Sequence, residues 1–363
     1  MDETIHDLLA AHDHEELRAV HDAAAGLRGF VAIHDTTLGP AAGGTRRYAF
    51  ASERAAAEDA LRLSRAMTYK YALAGVNMGG GKAVLWVDED DEPREDLYRA
   101  YGRAVEDYGG RFVTGGDVGT GERELRWVAM ETENVVGLPE QFDHPPDYHG
   151  GGRGVLRAME ACADLTYGDR DVGELHVAVQ GVGEMGASLV RYLVDRGAEV
   201  TVADPDEAAV ERVVARHGVE TVAPGDVYDV DCDVFAPCAL GGAIDDDTVD
   251  RLRCDVVCGA ANNQLAEPRH DRALHERDVL YAPDYLANAG RTIDDTDLLR
   301  PGGYTHDRAA AMVDGIYDTM RRVGRRAAAA DRPTGEVADE MAEERIERVA
   351  AMRGRRESRT PAW

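Results

Sequence analysis

The chain has 363 residues, 44% of them hydrophobic, and sets 69 Asp and Glu against 41 Lys and Arg, a formal net charge of −28. This length and apolar content predict two folded domains, and so negative a charge repels nucleic acid and anionic membranes. No apolar run can span a bilayer, the acidic start MDETIHDLLAAHDHEEL lacks the regions of a signal peptide, and the five cysteines lack CxxC spacing, so a cytoplasmic protein with no membrane partner and no metal is expected.

Residues 53–69, ERAAAEDALRLSRAMTY, repeat apolar side chains at helical spacing and predict a helix ending near Lys70. A glycine run then leads into KAVLWV, a predicted strand. EDLYRAYGRAVEDYGG reads as a second helix closed by glycines. RFVTGGDVG reads as a short strand with Asp117 at its exposed end. The segment ENVVGLPEQFDHPPDYHGGGRG, rich in Pro, Gly and His, predicts a domain boundary. A helix, VLRAMEACADL, follows, then strand, glycine turn, helix, strand, turn and helix across ELHVAVQGVGEMGASLVRYLVDRGAEVTVADPDEAAVERVVARHG. CDVFAPC, CDVVCGAA and VLYAPDYL are further strand candidates, and the pattern from about 305 to 352 is helical. Cys254 and Cys258 have the spacing of one helix face and read as small, semi-buried residues. Alternating helices and strands argue for an α/β fold.

Gly181-Val182-Gly183-Glu184-Met185-Gly186 matches the dinucleotide fingerprint in its proper place, between an apolar strand and an amphipathic helix. The first glycine permits the tight turn, the second lets main chain approach a pyrophosphate, and the third lets helix and strand pack closely. The helix start offers free N–H groups to the phosphates. Asp204 ends the next strand, placed to accept hydrogen bonds from a ribose and to repel a 2′-phosphate, which favours NAD over NADP.

All basic residues except Lys70 and Lys82 are arginine. Either side chain solvates a surface, but only lysine can be tuned to release its proton near neutral pH. Two lysines flanking a glycine run therefore point to amine chemistry. One can clamp a carboxylate, the other can act as base, and a nearby carboxylate such as Asp117 can shuttle protons. The glycines before Lys82 are expected to let main chain approach a ligand. Acidity spread along the chain, with lysine so scarce, reads as a surface hydrated for concentrated salt and suggests a halophilic host.

These segments resemble the Glu/Leu/Phe/Val amino-acid dehydrogenase family, nearest its leucine/valine/phenylalanine branch. The resemblance lies in LGPAAGGTRRY, ALRLSRAMTYKYALAGVNMGGGKAV, GGRFVTGGDVGT, VAVQGVGEMG, FAPCALGGAID, GAANNQLA and YAPDYLANAG, in order through most of the chain. It implies an N-terminal α/β substrate domain over 1–140, a Rossmann NAD-binding domain over 141–325, and a C-terminal helix over 326–363 that returns to the first, with the active cleft between them. It further implies NAD-dependent oxidative deamination of an L-amino acid to a 2-oxo acid, ammonium and NADH, in a homo-oligomer. Lys82 is similar to the catalytic lysine, Lys70 with main chain near Gly43 and Gly44 to the carboxylate-binding set, and Asp117 to the proton-transfer aspartate. Asn262 is similar to an asparagine near the nicotinamide ribose and substrate, Asn288 to one that holds substrate, and Ala236, Pro237 and Cys238 to residues lining the cofactor cleft.

Departures mark this chain. Gly151 stands where relatives place a threonine against the nicotinamide, and the lost hydroxyl is expected either to weaken nicotinamide placement or to be offset by a neighbour such as His149. Arg291, Thr292, Ile293, Asp294 and Asp295 replace a Gly-Val-Ile-Asn-Val run near the side-chain pocket, while Ala42 and Gly115 free space. Arg291 fits either an acidic substrate or a surface facing solvent or another subunit. Glutamate dehydrogenase-type activity and a catalytically weakened sensor are the alternatives these departures leave open.

Overall fold

The computed structural model describes residues 4–168 and 170–357. Its first unit holds residues up to Asp143, Asp295–Thr305, and those from Ala342 on. It opens with α1 (Ile5–Ala11), β1 (Glu16–Asp22), β2 (Leu27–Asp35), β3 (Ala41–Tyr48), α2 (Glu53–Leu73), β4 (Gly79–Trp86), α3 (Glu95–Glu106), β5 (Phe112–Gly115) and α4 (Glu122–Ala129). The five strands form one mixed sheet ordered β1-β2-β4-β3-β5. Pairing is antiparallel for β1/β2 and β2/β4, and parallel for β3/β4 and β3/β5.

Side chains alternate across a strand, so each face has its own core. Val31, Ile33 and Leu85 pack against Tyr98 and Tyr101 of α3 on one face. Phe30, Ala32 and Val84 pack against Ala56, Ala57 and Ala60 of α2 on the other. Ile33 and Leu85 are 0% and 1% exposed, and each such burial is worth about 1.5–3 kcal/mol. Ser52 caps α2 by accepting the Ala55 N–H at 3.1 Å. The helix runs on to Leu73, so Lys70 lies within its last turn rather than beyond its end.

The second unit holds His144–Asp294 and His306–Met341. It contains α5 (Gly150–Tyr167), β6 (His176–Gln180), α6 (Glu184–Arg196), β7 (Glu199–Ala203), α7 (Glu207–His217), β8 (Glu220–Thr221), β9 (Val234–Pro237), β10 (Val256–Val257), α8 (Arg269–His275), β11 (Leu280–Tyr281) and α9 (Asp284–Ala287). Its six strands are all parallel, in the order β11-β10-β9-β6-β7-β8. From β6 outward, this is the doubly wound order of dinucleotide-binding domains. Helices α10 (Gly290–Asp297), α11 (His306–Ala330) and α12 (Thr334–Glu357) complete the described chain.

Two expectations need correction. Residues 295–305 go with the first unit, and all of α11 goes with the second, so the returning segment starts within α12, not at 326. The physical reason is where α12 bonds. Asp339 accepts the Tyr285 hydroxyl within the second unit. In the first unit, Glu343 accepts from Tyr69, and Arg345 donates to the carbonyls of Tyr71, Ala72 and Val76. Cys254 and Cys258, read as small residues in a strand segment, do flank β10, with 9% and 0% exposure. Finally, Gly79, Gly80 and Gly81 lie inside β4 instead of preceding it.

Candidate active site

Lys82 sits on the α2 face of β4. Its neighbours two residues away, Gly80 and Val84, both meet that helix: Val84 packs with the α2 alanines, and a Cβ at Gly80 would lie 2.1 Å from Thr68 Oγ1. The glycine run is thus explained by protein, not ligand. Side chains at 79, 80 and 81 would strike Asp35 O, α2 and the Phe112 ring respectively. Gly43 and Gly44 have the same explanation, since their Cβ atoms would lie 1.8 Å from Gly81 O and 2.4 Å from Gly116 O. This close packing brings β3, β4, β5 and α2 together with the two lysines enclosed; Lys70 is 8% and Lys82 6% exposed.

Asp117 forms an ion pair with Lys82 Nζ, and Arg46 Nε approaches the same oxygen at 3.4 Å. The aspartate is not at an exposed strand end, since its side chain is only 15% accessible. Arg46 also binds Asp59 of α2 at 2.9 Å, which anchors it. Burial pushes the Lys82 ammonium below its ordinary value, and the Asp117 charge opposes this only in part. Burial would raise the Asp117 carboxyl, but the charges of Lys82 and Arg46 outweigh it and hold it below the usual carboxylate range. The pair therefore combines an amine drawn toward neutrality with a carboxylate that stays ionised. Arg46 carried no predicted role; its only signal was an Arg pair at the end of a glycine-containing segment.

In the second unit each fingerprint glycine has its own physical reason. Gly181 has φ +93°, and a Cβ there would meet Ala239 at 2.8 Å. Gly186 lets α6 approach β6, as a Cβ would lie 2.0 Å from Gly181 O. Gly183 differs: it is exposed, and a Cβ there would meet nothing within 4 Å. The protein leaves that space open at the N-terminus of α6, as a main-chain approach to pyrophosphate requires. Val182 is 3% exposed and structural, whereas Glu184 is exposed and Met185 half-buried.

Asp204 follows β7 and accepts the main-chain N–H groups of Val182 and Asp206, each at 2.8 Å. A carboxylate offers about four acceptor positions, so capacity remains for ribose hydroxyls. The residues present thus fit an NAD molecule. Pro237 and Cys238 close the end of β9, where Cys238 N donates to Gln180 O at 2.7 Å. Ala236 is 0% exposed within the sheet and has no side-chain surface with which to line a cleft.

Asn288, 5% exposed, donates through Nδ2 to Asn262 Oδ1 at 2.8 Å and to Ala260 O at 3.1 Å, while its Oδ1 has no partner. A buried amide oxygen left unmatched is an acceptor suited to a substrate N–H. Gly151 is occupied from outside: a Cβ there would lie 2.6 Å from Met185 Sδ. His149 caps α5, accepting the Gly152 N–H at 3.1 Å, and approaches Glu184 at 3.2 Å. Arg291 donates to the same Glu184 oxygen at 3.3 Å.

Comparison with known proteins shows the family. The sequence model of the Glu/Leu/Phe/Val dehydrogenase dimerisation domain matches residues 14–134, and that of Glutamate/Leucine/Phenylalanine/Valine dehydrogenase matches 203–293. A leucine dehydrogenase of Geobacillus stearothermophilus is 43% identical over 95% of this chain and 94% of its own. A valine dehydrogenase of Streptomyces virginiae is 43% identical over 92% and 94%. The crystal structure of an L-tryptophan dehydrogenase from Nostoc punctiforme superposes with a TM-score of 0.83 at 36% identity, covering 95% of this chain and 99% of that one. The chain belongs to the Glu/Leu/Phe/Val dehydrogenase family and is an NAD-dependent amino-acid dehydrogenase.

Proposed function

We propose that the substrate is an L-amino acid with a nonpolar side chain, of the leucine, valine or phenylalanine kind, converted reversibly to its 2-oxo acid and ammonium. NAD supplies the hydride acceptor. Lys70, in the last turn of α2, holds the substrate carboxylate with main chain near Gly43 and Gly44. Asn288 accepts from the amino group. Once the α-hydrogen has left as hydride, the amine of Lys82 takes a proton from water as that water adds to the imine carbon. Asp117, kept ionised, carries protons to and from the nitrogen until ammonia leaves.

The observation that carries this reading is the enclosed Lys82–Asp117 pair, whose amine is pushed toward neutrality by burial. The nonpolar preference rests on the relatives' substrates and on the small residues beside that pair. Ala42 and Gly115 share the α2 face with Lys82, and a Cβ at Gly115 would contact only Val136, at 3.4–3.5 Å. Arg291, the feature that favoured an acidic substrate, reaches toward Glu184 at the start of α6 instead. The experiment is NADH formation against a panel of amino acids in high salt, with Lys82→Ala as control. Nonpolar amino acids should be turned over, and Lys82→Ala should abolish turnover while leaving NADH affinity intact. Turnover of glutamate alone would refute the substrate class, and an active Lys82→Ala would refute the base.

We further infer a halophilic, cytoplasmic homo-oligomer. The net charge of −28 supports the first, and five cysteines, all free, support a reducing compartment. A family domain described by dimerisation supports self-association. Melting temperature against salt and sedimentation test these points.

A further inference from the structure

Position 291 turns toward the cofactor turn. Arg291 follows Gly290 in α10, yet its guanidinium reaches Glu184, the first residue of α6 and the fourth of the fingerprint. Glu184 is an awkward residue there. Its carboxylate suits the helix dipole, but it puts a negative charge where a pyrophosphate must bind. Two side chains meet that carboxylate, His149 through a hydrogen bond and Arg291 through its charge, and both hold the carboxyl below its ordinary pKa. They are not equivalent. His149 is fixed, because its Nδ1 accepts the Gly152 N–H, leaving Nε2 to face Glu184. Arg291 is half exposed, with 51% of its side chain accessible, and uses one guanidinium nitrogen for this contact. If Arg291 left, Glu184 would still keep His149. With the Glu184 side chain 70% accessible and the His149 Nε2–H still beside it, the contact can open without stranding a buried charge.

We propose that Arg291 is a cofactor-binding residue: its guanidinium rests on Glu184 and transfers to the pyrophosphate of NAD bound at Gly183. The proposal rests on the assignment of that turn to NAD. A planar fork of five donors matches phosphate oxygens better than an ammonium does. On a chain of net charge −28, a local cation at the phosphate site also offsets a repulsion that the helix N-terminus alone must otherwise overcome.

The test is binding of NADH, ADP-ribose and adenosine to wild type, Arg291→Ala, Glu184→Gln and the double variant, followed by NADH fluorescence and calorimetry. A charge-assisted contact predicts that Arg291→Ala weakens NADH and ADP-ribose by about ten- to a hundredfold and leaves adenosine unchanged. Glu184→Gln should tighten both pyrophosphate ligands, and the double variant should stay weak. Three results would overturn the proposal: Arg291→Ala binding like wild type, the double variant recovering wild-type affinity (Arg291 would then only neutralise Glu184), or adenosine losing as much as ADP-ribose. Wild-type protein that failed to bind NADH would instead remove the dinucleotide assignment itself.

Discussion

Gly183→Ala separates a glycine kept for a ligand from one kept for the fold. The added methyl would meet nothing within 4 Å, and the residue has φ −64° and ψ −164°, extended backbone open to alanine. Folding should change little. Alanine is a poorer N-cap than glycine by up to about 1 kcal/mol, and the stiffer unfolded chain returns roughly 0.4–1 kcal/mol. The melting temperature should therefore stay close to wild type. Binding is another matter. The methyl projects into the space a pyrophosphate must enter, displacing it from main-chain N–H groups, and each lost charged hydrogen bond is worth about 1.5–3 kcal/mol. NADH affinity should fall by at least about tenfold for one such bond. Gly186→Ala is the contrast, because its Cβ would lie 2.0 Å from Gly181 O. It should lower stability by about 1–3 kcal/mol through overpacking. Thermal melts and NADH fluorescence titrations on both variants decide the matter. A Gly183→Ala protein that binds NADH like wild type would show that the open space is not where the phosphates go.

The two lysines should respond oppositely to arginine. Lys70→Arg keeps a charge for the carboxylate and should raise KM while retaining measurable kcat, whereas Lys82→Arg cannot supply a neutral base and should be inactive; equal activities would contradict the division of roles. Since the chain has only these two lysines, isotopic labelling of lysine yields two side-chain signals whose titration can be followed directly. Lys82 should titrate below the ordinary ammonium range, and lower still in Asp117→Asn, because that carboxylate is what sustains the charged form; an upward movement would refute the coupling. Asp271, 7% exposed, accepts the Gly335 N–H at 2.9 Å near the start of α12, and burial pushes its carboxyl up to about 6. Between the unfolded value near 4 and that value the folded state binds more protons, so this group's contribution to stability falls as pH rises through the window and remains unfavourable above it. Asp271→Asn should therefore gain on wild type across that range, by up to about 3 kcal/mol at neutral pH; a difference independent of pH would sink the assignment.

Legibility followed local periodicity. The β6–turn–α6–β7 unit was plain because its glycines, apolar strands and acid sit within one short stretch, and the structure gives each glycine the expected kind of reason. The strands β1 to β3 were not recovered from pattern. β2 is buried at seven of its nine positions, so it shows no alternation to detect. The glycines of β4 were misjudged for a related reason. A glycine that admits a ligand and one that admits Phe112 look alike in one dimension, and only the neighbour distinguishes them. Arg46 and the trio of His149, Glu184 and Arg291 were invisible as groups, because each assembles from segments far apart in the chain.

The lysine economy of the chain now has a physical basis that composition alone could not supply. Arg46 and Lys82 both approach the same Asp117 oxygen, and the two cations do different work. The guanidinium cannot give up its proton, so it fixes one positive charge beside the carboxylate whatever the protonation of Lys82. The amine can, and burial favours its doing so. With arginine holding Asp117 ionised, loss of the Lys82 proton does not leave that carboxylate without a counter-charge. Had both cations been lysine, either could shed the proton and the site would have two competing bases. Had both been arginine, it would have none. One of each defines a single titrating nitrogen, and Arg46→Lys should accordingly broaden the pH profile of kcat into two overlapping ionisations, whereas an unchanged single ionisation would show that Arg46 serves only as a brace to Asp59.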